Sequence, residues 1–285
     1  MKKPKSAFSL FEVSIVVLIV GMVLAGASQS DKIIKKFRLS GAQSLTQSSS
    51  VAAIKGLAFW IDSTSKTSFL SNETSNNTNL SYWHDINPQA TPGNDLYRTP
   101  DSHIKYKTGA INSLPAVFFD GTDITTGIYF IASSIATIGN KFTFFIVSQS
   151  TDPSSTKAHG VFSNGNVKGW VYRKNGTNLK REIVFSGVNS TAGGLMTSGA
   201  EIVSSVYDGT NLELYVNGVA DIATTAVASF NSTGGDALYV GSNSAVSEPW
   251  QGYIGEIIIY DNVLDTDERK LVEKYLSKKW NVNVR

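Results

Sequence analysis

The stretch DGTNLELYVNGVADI, residues 208–222, sets the local pattern for most of this chain. Asp208-Gly209 and Asn217-Gly218 are tight-turn dipeptides, because Gly takes positive φ freely and Asp and Asn tolerate it. Between them LELYV alternates apolar and polar residues, the period of a strand with one buried face. The pattern predicts a hairpin, with Asp208 bending its turn rather than holding a metal.

The same signature repeats outward. LAFWI (57–61), AVFF (116–119), FTFFIVS (142–148), GVFS (160–163) and GWVYR (169–173) are short β-rich runs. REIVFSGV (181–188), IVSSVY (202–207), ALYVG (237–241) and GYIGEIIIY (252–260) continue the series, with turn segments such as NGN and NGT in between. About ten strands with no long helix among them predict two antiparallel sheets packed face to face. The tail LDTDERKLVEKYLSKKW (264–280) instead has helical spacing. Asp265 or Thr266 offers an N-cap, Lys278 and Lys279 fill the last turn, and Leu271, Val272, Tyr275, Leu276 and Trp280 form one apolar face.

Toward the other end, residues 1–7 are short and basic, and residues 8–27 are apolar except for Glu12. About 20 such residues reach roughly 30 Å as a helix, one hydrocarbon thickness. Lysines 2, 3 and 5 place residues 1–7 on the cytoplasmic side by the positive-inside rule. A secretory signal has a shorter apolar core, of roughly 7–15 residues, yet Ala25, Ala27 and Ser28 would pass as its cleavage site, so hydropathy alone leaves signal and anchor both open. Beyond residue 27, Ile33, Ile34, Phe37, Ala42, Leu45, Val51 and Ile54 recur at helical spacings. One helix from about residue 8 to 54 is predicted, membrane-spanning over 8–27 and amphipathic afterwards. The expected fold class is therefore mainly β: a long N-terminal α-helix joined to an antiparallel β-sandwich with a C-terminal helix.

Composition narrows the function. Lys+Arg 25 against Asp+Glu 23 lacks the basic excess of a nucleic-acid binder, so no nucleic-acid partner is expected. The absence of cysteine excludes thiol nucleophiles, Cys-bound zinc and disulfides. His84, His103 and His159 are dispersed and read as surface or turn residues. A glycosidase needs two carboxylates facing one cleft. Glu256 and Asp261 lie five apart in GEIIIYD, on opposite faces of a regular strand, so no catalytic residue is assigned and no enzyme is expected.

Ring faces stack on the apolar faces of sugars, so Trp83 in YWHDIN, Trp170 in GWVYR and Trp250 in SEPWQG are candidate ligand platforms. Trp60, within LAFWI, reads as core. Asp85, Asp120, Asp123 and Asp236 sit in oxygen-rich loops and are the candidate calcium ligands, alongside a plain turn reading.

Two resemblances extend this reading. KSAFSLFEVSIVVLIVG (5–21) resembles the prepilin-type leader of type IV pilins and type II secretion pseudopilins. It shares the basic leader, the small residue before a Phe, and a glutamate fifth from that Phe; Ala7 replaces the usual Gly. The resemblance implies cleavage between Ala7 and Phe8 by a prepilin peptidase, methylation of Phe8, and assembly through Glu12 with other pilin or pseudopilin subunits. It also implies an inner-membrane stage with a periplasmic head, then a pilus or pseudopilus.

LAFWIDS, YWHDIN, INSLPAVFFDGTD, YDGTNLELYVNG and the run from Trp250 to Trp280 together resemble a laminin-G-like domain of the concanavalin A lectin/glucanase superfamily, a jelly roll. The glucanase ExDxE strand is missing, since Glu256 precedes three isoleucines and a tyrosine. The expected domains are a leader (1–7), a pilin-like helix (8–56) and a jelly-roll head (57–285). The expected function is a minor pilin or pseudopilin presenting that head to a carbohydrate or surface protein. The alternative is a membrane-anchored lectin or carbohydrate-active enzyme outside any filament.

Overall fold

Helix α1 (Leu10–Gln47) is a single 38-residue helix. The structure, a computed structural model, describes residues 10–90, 93–98, 103–122, 129–132, 141–164, 170–185, 189–227, 237–243 and 247–285, apart from the side chains of 10–12, 23–29, 31 and 189–191. Where described, residues 13–22 of α1 point apolar side chains outward: Val16, Val17, Leu18 and Met22 are 58–65% exposed. Among the described residues no helix is long and apolar enough to cross a membrane. The membrane-spanning expectation for 8–27 is corrected to that extent.

The helix also stops sooner than its apolar spacing predicts. Ser48 Oγ donates to the Ser44 carbonyl at 2.9 Å and Ser49 Oγ to the Thr46 carbonyl at 2.9 Å. Such back-bonding competes with the helical ladder. After it the chain turns through a short 3-10 segment (Val51–Ala53).

Two antiparallel sheets follow, assembled from β1 (Leu57–Asp62), β2 (Thr78–Asn79), β3 (Tyr82–Trp83), β4 (Leu96–Tyr97), β5 (Ile104–Ile111) and β6 (Leu114–Asp120). Next come β7 (Phe130–Ala132), β8 (Phe142–Ser150), β9 (His159–Asn164), β10 (Trp170–Lys174), β11 (Lys180–Phe185) and β12 (Asn189–Leu195). The last are β13 (Ala200–Tyr207), β14 (Asn211–Val216), β15 (Val219–Ala226), β16 (Leu238–Val240) and β17 (Gln251–Tyr260). One sheet runs β15-β14-β13-β8-β17-β6-β5-β2, with β1 also on β17; the other runs β12-β11-β10-β9-β16-β7-β4-β3. The β14–β15 hairpin turns through Asn217 and Gly218 at φ 51° and 77°. Asp208 accepts from the backbone amides of Thr210 and Asn211 at 2.8 and 2.6 Å, which holds its carboxyl below the ordinary range.

Three layers result. The main core lies between the sheets and includes Phe144, Phe162, Trp170, Tyr172 and Ile257. A second core lies between the outer face of the first sheet and the helices, where Ala42, Val51, Phe145, Ile258, Leu276 and Trp280 meet. Helix α2 (Thr266–Trp280) starts in a capping box between Asp265 and Glu268, so Asp265 is the one used of the two N-caps the tail offers.

The second core holds a buried polar knot. Glu256 Oε1 accepts from Trp60 Nε1 and Tyr275 Oη at 2.8 Å each; its Oε2 accepts from Lys279 Nζ at 2.7 Å and Trp280 Nε1 at 2.8 Å. Lys279 Nζ also meets Asp62 at 2.7 Å and donates to Thr46 of α1 at 2.9 Å. A bulge between Ile254 and Glu256 turns the glutamate toward the helices. Residue 255 has to be glycine there, since a Cβ would lie 2.5 Å from the Trp280 ring.

Candidate functional site

The outer face of the second sheet has no helix packed on it among the described residues. Its strands alternate: Trp170, Tyr172 and Lys174 of β10 are buried, whereas Val171 and Arg173 are only partly so. Register carries that alternation sideways. Tyr82 pairs with Tyr97, Tyr97 with Ile131, Ile131 with Tyr239, Tyr239 with Ser163, and Ser163 with Val171. One outward residue from each successive strand thus lies in a single transverse row.

The row is open at its tyrosine end. Tyr82 and Tyr97 are 42% and 44% exposed, while Ser163 and Val184 are buried. Tyr129, just before β7, packs on Tyr239 with ring centroids 5.3 Å apart. Burial, with Tyr129 and Tyr97 close by, raises the pKa of the Tyr239 hydroxyl, so it is a neutral donor and acceptor. Tyr82 stacks on His84 at 5.8 Å and 7°, and His84 Nδ1 is 2.9 Å from Asp95. From Tyr82 to Tyr239 the row crosses three strand spacings, about 14 Å. This is a shallow aromatic strip with hydroxyls along it, a surface suited to planar apolar faces that carry polar edges.

The residues singled out from sequence fall elsewhere. Trp83, Trp170 and Trp250 are corrected from ligand platforms to core residues, at 0–2% exposure. Trp83 lies against Phe69 (5.7 Å) and Phe130 (6.2 Å), and Trp170 against Phe142 (4.6 Å) and Phe162 (5.0 Å). For the first two, the adjacent residue along the strand, Tyr82 or Val171, takes the outer face instead. The exposed residue of YWHDIN is Tyr82, one position before the tryptophan. A period of two would separate the pair, but β3 and β4 are two residues each, too short to show it.

Asp85 accepts from the amides of Trp60, Asn87 and Asn94, each at 3.0 Å, and burial pushes its carboxyl up. Asp120 meets His103 Nδ1 at 2.7 Å and accepts from the Thr122 amide and hydroxyl at 3.1 and 2.8 Å. Both aspartates therefore shape loops. Asp123, Asp236, Ala7 and Phe8 lie outside the described residues, as does the side chain of Glu12. Among the described residues no three His, Cys, Asp or Glu side chains gather as a metal would require. Glu256 is enclosed in the knot beneath α2, and burial raises its pKa against the opposing pull of Lys279. His159 departs from its surface reading and is 2% exposed.

Strand order and register define an antiparallel jelly-roll sandwich. Residues 142–268 match the family described as the concanavalin A-like lectin/glucanases superfamily, in its laminin-G-like branch. Domain 4 of AbnA, a GH43 extracellular arabinanase from Geobacillus stearothermophilus, solved in complex with arabinotriose, has the same fold. It superposes with a TM-score of 0.54 at 14% identity over 77% of this chain and 97% of that one. Trypanosoma rangeli sialidase in complex with sialic acid gives a TM-score of 0.52 at 11% identity over 79% of this chain. The match spans only 33% of the sialidase. No curated protein matches the chain by sequence.

Proposed function

We propose that this chain is a non-enzymatic, pilin-like subunit, a minor pilin or pseudopilin, whose jelly-roll head holds a carbohydrate on the Tyr82–Tyr97–Tyr239 strip. The observation that carries the filament part is helix α1. Its residues 13–22 expose apolar side chains that no other described residue covers, while the same helix buries Ala42 against the head. Exposed apolar surface of this kind calls for an apolar surrounding. The membrane before assembly and a bundle of similar helices after it both supply one. The leader motif with Ala7, Phe8 and Glu12 supports the same route through a prepilin peptidase and an inner-membrane stage with a periplasmic head. A glutamate in that surrounding is costly alone and far less so beside the Phe8 amine of a neighbouring subunit.

The carbohydrate part is supported by the strip and by the arabinotriose in complex with domain 4 of the arabinanase, a chain that shares this fold over nearly its whole length. The non-enzymatic part is supported by Glu256, whose oxygens are all taken up by Trp60, Tyr275, Lys279 and Trp280. Mass spectrometry of the mature N-terminus tests the route: N-methyl-Phe8 is expected, and an uncut or differently cut chain overturns it. Glu12→Ala is expected to be processed normally and to enter filaments poorly. An anchored lectin outside any filament is the second reading, favoured if the head retains glycans while Phe8 carries no methyl group.

A further inference from the structure

The buried knot that joins α1, β1, β17 and α2 has one cation for two acids. Lys279 Nζ lies 2.7 Å from Asp62 Oδ2 and 2.7 Å from Glu256 Oε2, and all three side chains are fully buried. Asp62 and Glu256 lie opposite each other across β1 and β17. A second negative charge has no cation here, and an unpaired buried charge is costly, so the knot keeps one extra proton. Burial pushes Glu256 up, with Lys279 pulling against it and Asp62 adding to it. An amine, a carboxylic acid and a carboxylate in contact are the ingredients of a condensation.

Geometry gives each acid a different part. Asp62 Oδ1 accepts from the Thr64 amide and hydroxyl, at 2.8 Å each. Two fixed donors on one oxygen suit a carbonyl that gains negative charge under attack. The other oxygen, Oδ2, is the one beside Lys279 Nζ. The Asp62 carboxyl carbon is therefore within about 4 Å of Nζ, close to the roughly 3–3.5 Å of a near-attack pair. Glu256 touches the same nitrogen and is placed to take its proton. Trp60, Tyr275 and Trp280 close over the group and exclude the water that would reverse the reaction.

We propose that Lys279 and Asp62 condense into an intramolecular amide, with Glu256 as the proton carrier. The Lys279 ammonium gives one proton to the Glu256 carboxylate, and the freed lone pair forms the Nζ–Cγ bond to the Asp62 acid. The Cγ–Oδ2 bond then breaks. That oxygen leaves as water, with its own proton and a second one from Nζ. An amide, a neutral Glu256 acid and one water result, so no charge stays in the buried place. Nothing is oxidised or reduced. The chain has no cysteine for a disulfide, and this amide would tie its first strand to its last helix. The ion pairs of the knot are the state before reaction. The inference does not depend on the filament or the carbohydrate reading.

The test is peptide mapping by mass spectrometry of the full chain, purified in detergent and kept folded at neutral pH. Trypsin should release residues 56–66 joined to residues 279–285, lighter by one water than the two segments together. The joined form should be present in the folded chain and rise to most of it on standing. Glu256→Gln keeps the side chain's shape but cannot take the proton, and should join at least about a hundredfold more slowly. Free 56–66 with complete cleavage after Lys279, in every sample, would overturn the proposal. Residues 279–285 joined instead to 182–269 would overturn it in favour of an amide on Glu256. Because the wild-type peptide is itself the readout, the result stands even if Glu256→Gln fails to fold.

Discussion

Strands β17 and β10 sit in opposite sheets and differ in how many dry faces they have. From Ile254 onward β17 is buried on both sides, toward the main core through Ile257 and Ile259 and toward the helices through Ile258 and Tyr260. Strand β10 is buried on one side and lends the other to the open face. The contrast explains why GEIIIY is a continuous apolar run and WVYRK an alternating one. It also divides the two faces, since the covered one anchors the helices and the other carries the tyrosine strip.

The sharpest way to break that contrast is at the knot. Lys279→Met leaves Glu256 and Asp62 without their cation in a fully buried place. Chemical denaturation should show a loss of about 3–5 kcal/mol, and adding Glu256→Gln should recover part of it. An undiminished midpoint for Lys279→Met would mean the covered face is not held by this knot. Within β10 itself, Trp170→Ala should cost about 3–5 kcal/mol. Val171→Thr, one residue on and facing outward, should cost about 1 kcal/mol or less. Equal losses at the two positions would show that β10 has no open side.

Acidity separates the two ends of β9. The His159 pKa is lowered from its ordinary value of 6.5, so the unfolded chain binds a proton that the folded chain refuses. Stability from this group is complete above pH 6.5 and is lost as the pH falls toward the lowered value. The slope is at most about 1.4 kcal/mol per pH unit. His159→Gln should flatten the stability profile below pH 6.5, and an unchanged profile would remove His159 from it. The smallest effect on folding belongs to the tyrosine strip. Tyr82→Ala and Tyr97→Ala should each move stability by about 0.5 kcal/mol, yet together abolish glycan retention on an affinity column. Retention by the double variant would move the ligand elsewhere.

Much of the fold was readable because its signals are local. Paired turn dipeptides marked the β14 hairpin, and Asp265 or Thr266 marked the start of α2. Strands such as β3 and β4 carried no period long enough to read, and they contribute the exposed tyrosines. The candidate site stayed hidden for that reason: it consists of one residue per strand, and only register brings Tyr82, Tyr97 and Tyr239 into line. Tryptophans attracted attention by type, whereas burial is decided by parity along the strand. His159 was missed because its partner, the Pro249 carbonyl, is 90 residues away.

Helix α1 leads through one 3-10 turn into β1, which pairs antiparallel with β17 at Trp60–Ile258, Ile61–Ile257 and Asp62–Glu256. A pull along the helix therefore reaches the head as shear across that ladder, where neighbouring hydrogen bonds share the load instead of opening one by one. Lys279 ties the last turns of α1 to β1, β17 and α2 at the same spot. Tension applied to α1 would run through the covered layer and bypass the tyrosine strip, leaving the open face unstrained while the helix is pulled.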